Sequence, residues 1–460
     1  MRAIFWPEKG GQKMSVSVKE YMQKFAINRA LEYIEGNPEE NIPKLMELVD
    51  KYSPEDWYAS QRKAIRGAIE RKDNWYQLIL RVYGLDCGIR KAFFQNFLFN
   101  ASLKGSAIQA EVKAKEGCNV PWAILLDPTS ACNLHCTGCW AAEYGNRLNL
   151  TLEDIDSIVR QGKELGVYMY IYTGGEPMVR RKDLIQLCRM HPDCEFLSFT
   201  NGTLIDEEFC QEMLEVKNFV PAISLEGFEE ANDSRRGQGV YQKVKHAMEL
   251  LKSHGLPFGI SACYTSRNCM DITSGEFFDY MIESGALFVW FFHYMPVGND
   301  AATELLPSPA QREEVYHRIR EFRKTKAIFS LDFQNDAQYV GGCIAGGRYY
   351  LHINAKGDVE PCVFIHYSNV NIHDVSLLEA LKSPVFMAYH DRQPFNDNML
   401  RPCPMLENPE CIQEMVRETG AVSTDYESQE TVEHLCKKTV PYAENWKETA
   451  DKLWEAEKTK

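Results

Sequence analysis

The chain has 460 residues, 45% apolar and 25% charged, the make-up of an ordinary globular protein with room for two or three domains, or for one large α/β domain with additions. Its net charge of −14 excludes nonspecific nucleic-acid binding, which needs a basic surface to meet phosphates. The longest apolar run, Ala286–Tyr294, is far short of the 18 or so residues that span a bilayer and is expected as a buried strand. Fifteen cysteines, with no secretory signal in Met1–Val16, favour metal or cluster binding in a cytoplasmic, oxygen-poor setting over a disulfide framework.

Residues 1–115 read as a helical region. Ser17 and Glu20 have capping-box spacing, and Val18, Met22, Phe25 and Ala26 mark one helical face before Gly36-Asn37-Pro38 ends it. Ser53-Pro54-Glu55-Asp56 opens a second helix with proline at its first position. A third, over Ile89–Leu103, is dense in Phe93, Phe94, Phe97, Leu98 and Phe99 and flanked by Arg90, Lys91 and Lys104. Such a helix suits packing against a neighbouring domain, and also peripheral contact with a membrane or a lipid.

Residues 116–325 alternate strand and helix. Candidate strands are Trp122–Asp127, Val167–Tyr172, Glu195–Thr200, Val220–Leu225, Pro257–Tyr264 and Ala286–His293, with helices such as Leu152–Leu165 and Asp206–Val216 between them. Apolar strands in repeated β-α units imply a parallel sheet covered by helices. Behind the first strand, DPTSACNLHCTGCWAAEY holds Cys132, Cys136 and Cys139, spaced Cys-x3-Cys-x2-Cys on a polar loop. A cubane cluster takes four thiolates, so three on one loop leave an iron open to bind and reduce a small molecule. Three clustered thiols also fit part of a zinc site, or ordinary buried small residues.

The cysteine spacing resembles the signature of the radical S-adenosylmethionine (radical SAM) enzymes, and motifs behind later strands extend the likeness. Thr173-Gly174-Gly175-Glu176-Pro177 resembles the family's GGEP motif, which contacts the SAM amino group. Thr200-Asn201-Gly202 resembles its TNG turn. Ile223-Ser224-Leu225-Glu226-Gly227 with Asn232-Asp233-Ser234-Arg235-Arg236-Gly237 resembles a run in peptide-modifying members. That match implies that Ser224 and Arg236 bind the SAM carboxylate or ribose, while Glu226 and Asn232 depart from the usual aspartate and histidine. Met295-Pro296-Val297-Gly298 resembles the turn lining the adenine pocket, through Pro296 and Gly298. Gly138 stands where an aromatic residue is common, and Trp140 is expected to be a packed indole.

The resemblance implies an α/β fold, a partial (β/α)6 TIM-like barrel with chemistry at the carboxyl ends of its strands. It also implies a [4Fe–4S] cluster that cleaves SAM to methionine and a 5′-deoxyadenosyl radical, which takes hydrogen from an unactivated C–H bond. A small donor such as ferredoxin or flavodoxin would supply the electron. The alternative is a non-catalytic iron–sulfur electron carrier or regulator on the same fold.

In residues 326–425, Tyr349–Asn354 and Asp358–Phe364 flank Lys356-Gly357 as a β-hairpin that brings Cys343 and Cys362 together. This resembles the start of the SPASM or shorter twitch extension, which carries auxiliary [4Fe–4S] clusters. Cys343, Cys362, Cys403, Cys411 and Cys436 are too few for two all-thiolate cubanes, so one auxiliary cluster is implied. Its expected ligands are Cys343, Cys362 and Cys403, with Cys411 fourth. If Cys411 falls short, the site keeps an open iron; a zinc-stapled hairpin is the alternative. Cys87, Cys118, Cys188, Cys194, Cys210, Cys263 and Cys269 read as small apolar residues. Residues 426–460 end in an amphipathic helix over Glu444–Lys460. The extension favours a peptide substrate, and the phenylalanine-rich helix a lipid or other hydrophobic small molecule.

Overall fold

The computed structural model describes residues 28–52 and 59–459. The Ser17 capping box, the helical face Val18 to Ala26 and the Ser53–Asp56 helix start lie outside the described residues. What is described of the N-terminal region is helical, with Pro38–Tyr52, Ala59–Arg71, Asn74–Tyr83 and Cys87–Phe93 in succession. Gly36 and Asn37 break one helix, and Pro38 opens the next, where a missing N–H costs nothing.

The aromatic helix expected over Ile89–Leu103 forms, but Phe94–Gly105 is wound as a π-helix that continues into Ser106–Glu116. Two anchors hold this winding. Asn96 donates to the carbonyls of Pro192 and Cys194, each at 3.1 Å, and Asn100 to that of Asp193 at 2.8 Å. Gly105 lies so close to Gly166 that a Cβ would sit 2.3 Å from its carbonyl oxygen. Phe93 stacks on Phe97, and Phe97 meets Trp122 edge-on at 5.5 Å. The helix is therefore packed on the sheet. No helix among the described residues is long and apolar enough to cross a membrane.

Six strands form where the alternation places them: β1 (Ala123–Leu126), β2 (Met169–Tyr172), β3 (Glu195–Thr200), β4 (Phe219–Ser224), β5 (Gly259–Tyr264) and β6 (Phe288–His293). The helix after the cysteine loop, Leu152–Glu164, starts with a full capping box between Thr151 and Asp154. A seventh strand, β7 (Phe329–Asp332), pairs parallel to β6; its four residues, FSLD, are too short and mixed to read as an apolar run. The C-terminal hairpin supplies β8 (Tyr350–Ile353) and β9 (Val359–Glu360). β8 pairs parallel to β1, Ala123 opposite Tyr350, so the sheet order is β7-β6-β5-β4-β3-β2-β1-β8-β9. This is the expected partial barrel, extended at both edges.

Side chains alternate across each strand. Ile124, Tyr170, Phe196 and Phe291 are buried outward, under the helices. Leu125, Met169, Ile171, Leu197, Trp290 and Leu331 face inward on a shared cavity of about 760 Å³. The curled sheet closes on itself through rings rather than hydrogen bonds: Phe333, just past β7, lies 6.2 Å from Tyr350 and 6.4 Å from Phe364.

The C-terminal helix is longer than expected, Val432–Lys458, with Pro441 inside it. The proline disguises the helix in sequence, since it removes one N–H from the ladder. Packing outweighs that loss: Trp446 is fully buried, and its indole N–H donates to the Leu400 carbonyl at 2.9 Å. Arg312 lies 4.3 Å from the Trp446 ring and is itself fully buried. It donates to Glu407 at 2.7 Å and to Asn335 at 3.0 Å, joining the barrel to the C-terminal module.

Removing one partner of a buried ion pair leaves the other charge uncompensated. Glu407→Leu should therefore cost about 3–5 kcal/mol in denaturant unfolding. The double variant Arg312→Met with Glu407→Leu should recover much of that loss.

Candidate active site

Cys132, Cys136 and Cys139 sit on the loop after β1, at the carboxyl end of the barrel, and all three line the cavity. Backbone contact holds the loop. The Gly175 N–H donates to the Thr129 carbonyl at 3.0 Å, and the Glu176 N–H to that of Ala131 at 2.8 Å. A Cβ on Gly175 would lie 2.3 Å from the Ala131 oxygen. Gly174, at φ +99°, would place one 2.8 Å from Asp127 and from the Thr129 oxygen. The two glycines thus let the thiol loop lie flat on the end of β2.

Glu176 is buried, and its carboxylate accepts from the Thr200 hydroxyl at 2.6 Å, the Asn201 N–H at 2.7 Å and the Met178 N–H at 3.0 Å. Burial pushes its pKa up, and these hydrogen bonds oppose the shift. Pro177 starts the short turn that Glu176 caps. The Asn201 amide donates to Asn133 at 2.8 Å, tying the end of β3 to the thiol loop. Gly174, Gly175, Glu176, Asn201, Ser224 and Arg236 all line the cavity beside the thiols.

Pro296 and Gly298 are not brought to that wall. Gly298, at φ +90°, donates its N–H to Glu430 at 3.1 Å, and a Cβ there would strike Glu143. From this turn it is Tyr294 and Met295 that reach the cavity. Trp140 packs edge-on against Tyr144, His352, Phe364 and His366 and shows its remaining surface to the cavity.

Arg236 is paired from beneath. Fully buried Glu226 accepts from its Nε at 3.0 Å and lies 2.8 Å from an Arg235 guanidinium nitrogen. Burial would raise Glu226, yet the two guanidiniums hold it below the ordinary carboxylate range. Arg235 also donates to the Thr137 carbonyl on the thiol loop at 3.2 Å, and Arg236 comes within 4.0 Å of the Cys136 sulfur. Cys263, in sequence one small residue among many, proves to face the cavity; its N–H donates to Glu226 at 3.2 Å. Burial pushes its thiol up to about 11. Of the other cysteines without a motif, Cys118, Cys188, Cys194, Cys210 and Cys269 are buried and Cys87 is exposed.

Sequence reasoning also missed a charged cluster under the loop. His352 on β8 is fully buried, with Nδ1 2.7 Å from Glu360 and Nε2 2.9 Å from Asp127. Burial would lower His352, but the two carboxylates raise it to about 10 and keep it cationic. Tyr144 donates to Glu360 at 2.8 Å, and His366 meets Asp425 at 2.6 Å. The available signal was hairpin register, which sets His352 directly opposite Glu360.

In the C-terminal module, Cys343, Cys362 and Cys403 lie near one another, and all three, with Cys411, lie near Tyr389. Burial, then the neighbouring Cys362, pushes Cys343 up to about 12. The Cys403 sulfur accepts from the N–H groups of Met405 and Leu406 at 3.4 Å, and Tyr350 lies 2.8 Å from the Cys362 sulfur. The Tyr389 hydroxyl, fully buried here, has no hydrogen-bond partner among the described residues. Cys411, on helix Pro409–Thr419, is governed by burial and by Glu410 and Glu414 rather than by the other thiols. Cys436 donates to the Pro409 carbonyl at 3.1 Å.

Both sets of three are thiols, the donors that hold iron–sulfur clusters. Among the described residues, no three His, Cys, Asp or Glu side chains converge on one metal position. On the loop, the Cys132 sulfur accepts from the Leu134 N–H at 3.5 Å.

Residues 126–266 match the model of the Radical SAM superfamily, so the thiol loop and β2 to β5 lie within a radical SAM domain. Enzymes of this family use a [4Fe–4S] cluster and SAM, and SPASM-type relatives carry auxiliary clusters. The AdoMet-dependent heme synthase of Methanosarcina barkeri is 25% identical over 56% of this chain and 80% of its own. The PqqA peptide cyclase of Gluconobacter oxydans is 27% identical over 63% of this chain and 84% of its own. In fold, the chain resembles SuiB of Streptococcus suis bound to S-adenosylmethionine, with TM-score 0.55, 19% identity and coverage of 72% and 81%.

Two outcomes follow. Gly175→Ala should force the thiol loop off β2, costing about 1–3 kcal/mol and lowering iron content after anaerobic reconstitution. His352 has its pKa raised on folding, so its contribution is complete below the unfolded value near 6.5 and lost as pH rises through about 10. Urea unfolding between those limits should show wild type losing a few kcal/mol more than His352→Gln.

Proposed function

We propose that Cys132, Cys136 and Cys139 hold the SAM-binding [4Fe–4S] cluster, and that the enzyme takes hydrogen from a C–H bond of a substrate seated in the barrel's apolar interior. One observation carries this reading. The three thiols, Glu176, Ser224 and Arg236 share a single cavity whose remaining wall is almost entirely aliphatic and aromatic. When bound, the cluster and SAM supply one-electron cleavage to a carbon radical strong enough for an unactivated C–H bond.

The chain's own residues do the rest. Arg236, oriented by Glu226, presents donors suited to a carboxylate, with Ser224 beside it. Glu176 locks the β2 and β3 ends into one platform, and Gly174, Gly175 and Pro177 set its shape. Asn201 steadies the loop from the side. Phe292 and Trp290 line the cavity and keep water from a reactive carbon.

Cys343, Cys362 and Cys403 would hold one auxiliary cluster that relays an electron, with Cys411 brought in as fourth ligand or an iron left open. A ferredoxin or flavodoxin would deliver the initiating electron. The apolar lining favours a lipid or other hydrophobic small molecule as substrate. A peptide is the second reading, supported by the PqqA peptide cyclase and by a SuiB structure with its precursor peptide SuiA.

The test is direct. Anaerobically reconstituted, reduced full-length protein should convert SAM to 5′-deoxyadenosine and methionine. Cys136→Ala should lower that rate to the protein-free background, and Arg236→Ala should raise the SAM concentration needed for half-maximal turnover.

A further inference from the structure

The cavity does not end where SAM would sit. It follows the strands down to their amino ends, where Ala123, Met169 and Phe288, the first residues of β1, β2 and β6, still line it. Below them, Val82, Ile89, Phe93 and Phe97 from the N-terminal helices form its floor. One wall position on that lower rim is acidic. Glu195, the first residue of β3, shares the inward face with Leu197 and Phe199. It is 2% exposed, and its Oε2 has no hydrogen-bond partner among the described residues.

Arg90 lines the same floor but is already engaged. Its guanidinium donates to the Tyr83 and Leu85 carbonyls and meets Glu35 at 3.3 Å. Asn96 already meets the Glu195 carboxyl from the floor helix, so the spare hydrogen-bonding capacity is that of Oε2, at the far end of an apolar tube whose other end carries the thiols. An unsatisfied buried oxygen is costly unless something else meets it. Five residue steps of extended β3 lead from Glu195 to Thr200, the residue that binds Glu176, a span of about 16 Å.

We infer that the foot of the barrel is a binding site for the distal end of the substrate, and that Glu195 hydrogen-bonds an uncharged hydroxyl terminating a long apolar chain. This deepens the proposal above and rests on its reading of the interior as the substrate site. The chain would lie along the inward side chains and place a carbon near the thiol end while its hydroxyl is held at the foot. Burial pushes Glu195 up to about 8, so at neutral pH it is largely a neutral acid that both donates to and accepts from a hydroxyl. A cationic head group would instead need an ionised carboxylate. The floor helices make the tube's length a property of this chain, and Phe97 on Trp122 sets its stop.

The test uses full-length protein and two probes of nearly equal length, 1-decanol and decyl methyl ether, displacing the apolar fluorophore 1-aminoanthracene. Wild type should favour the alcohol by about tenfold, Glu195→Leu should bind both probes equally, and Glu195→Gln should keep part of the preference. Melting temperatures check that each variant is folded; should Glu195→Leu not fold, a Glu195→Gln preference equal to wild type overturns the assignment. The same alcohol preference in wild type and Glu195→Leu overturns it too, as does wild type that binds neither probe. A wild type that shows the preference without cleaving SAM would sink the radical reading and leave this site standing.

Discussion

The structure depends on a backbone-to-backbone contact that any side chain would destroy. The thiol loop after β1 lies against the end of β2, where Gly174 and Gly175 leave room for the carbonyls of Thr129 and Ala131. Hydrogen bonds from Gly175 and Glu176 then fix the loop's height above the barrel. Cysteines on a free loop would sample many separations. Here their anchor is a rigid parallel sheet, and rigid elements place a site more accurately than loops can.

Around that contact, charge is buried on two sides. Glu226 gathers Arg235 and Arg236 on one flank, and each arginine also touches the thiol loop, through the Thr137 carbonyl and the Cys136 sulfur. On the other flank, cationic His352 joins Asp127, just before the loop, to Glu360 on the C-terminal hairpin. Buried ion pairs add little net stability, because desolvation cancels most of the attraction. They do resist rearrangement, since each alternative geometry strands a charge. Both networks hold the loop in one place, which a cofactor site requires.

Much of this was legible in the chain itself. The six core strands were readable because parallel strands buried on both faces run nearly all apolar, as in MYIY and FVWFFH. The thiols, the paired glycines and Arg236 were readable as motifs, and they do meet at one cavity wall. What stayed hidden depends on distance in sequence. The FSLD strand becomes a strand only because β6 lies beside it, and the helix from Val432 runs through a proline that reads as a stop. Pro296 and Gly298 carry a turn signal whichever way the turn faces, and it faces Glu430. Glu195 opens a strand in the sequence, and only the curled sheet sets its carboxyl on the same cavity wall as Leu197 and Phe199.

The pairing of β8 with β1 has a consequence for how the chain is made. The first strand, Ala123–Leu126, is wholly apolar, and one of its two edges stays bare until Tyr350–Ile353 leaves the ribosome far downstream. An open apolar edge is a template for wrong partners. Pairings so remote in sequence also form slowly. The barrel half therefore waits, with one apolar edge open, for the segment that follows Cys343 to cover it.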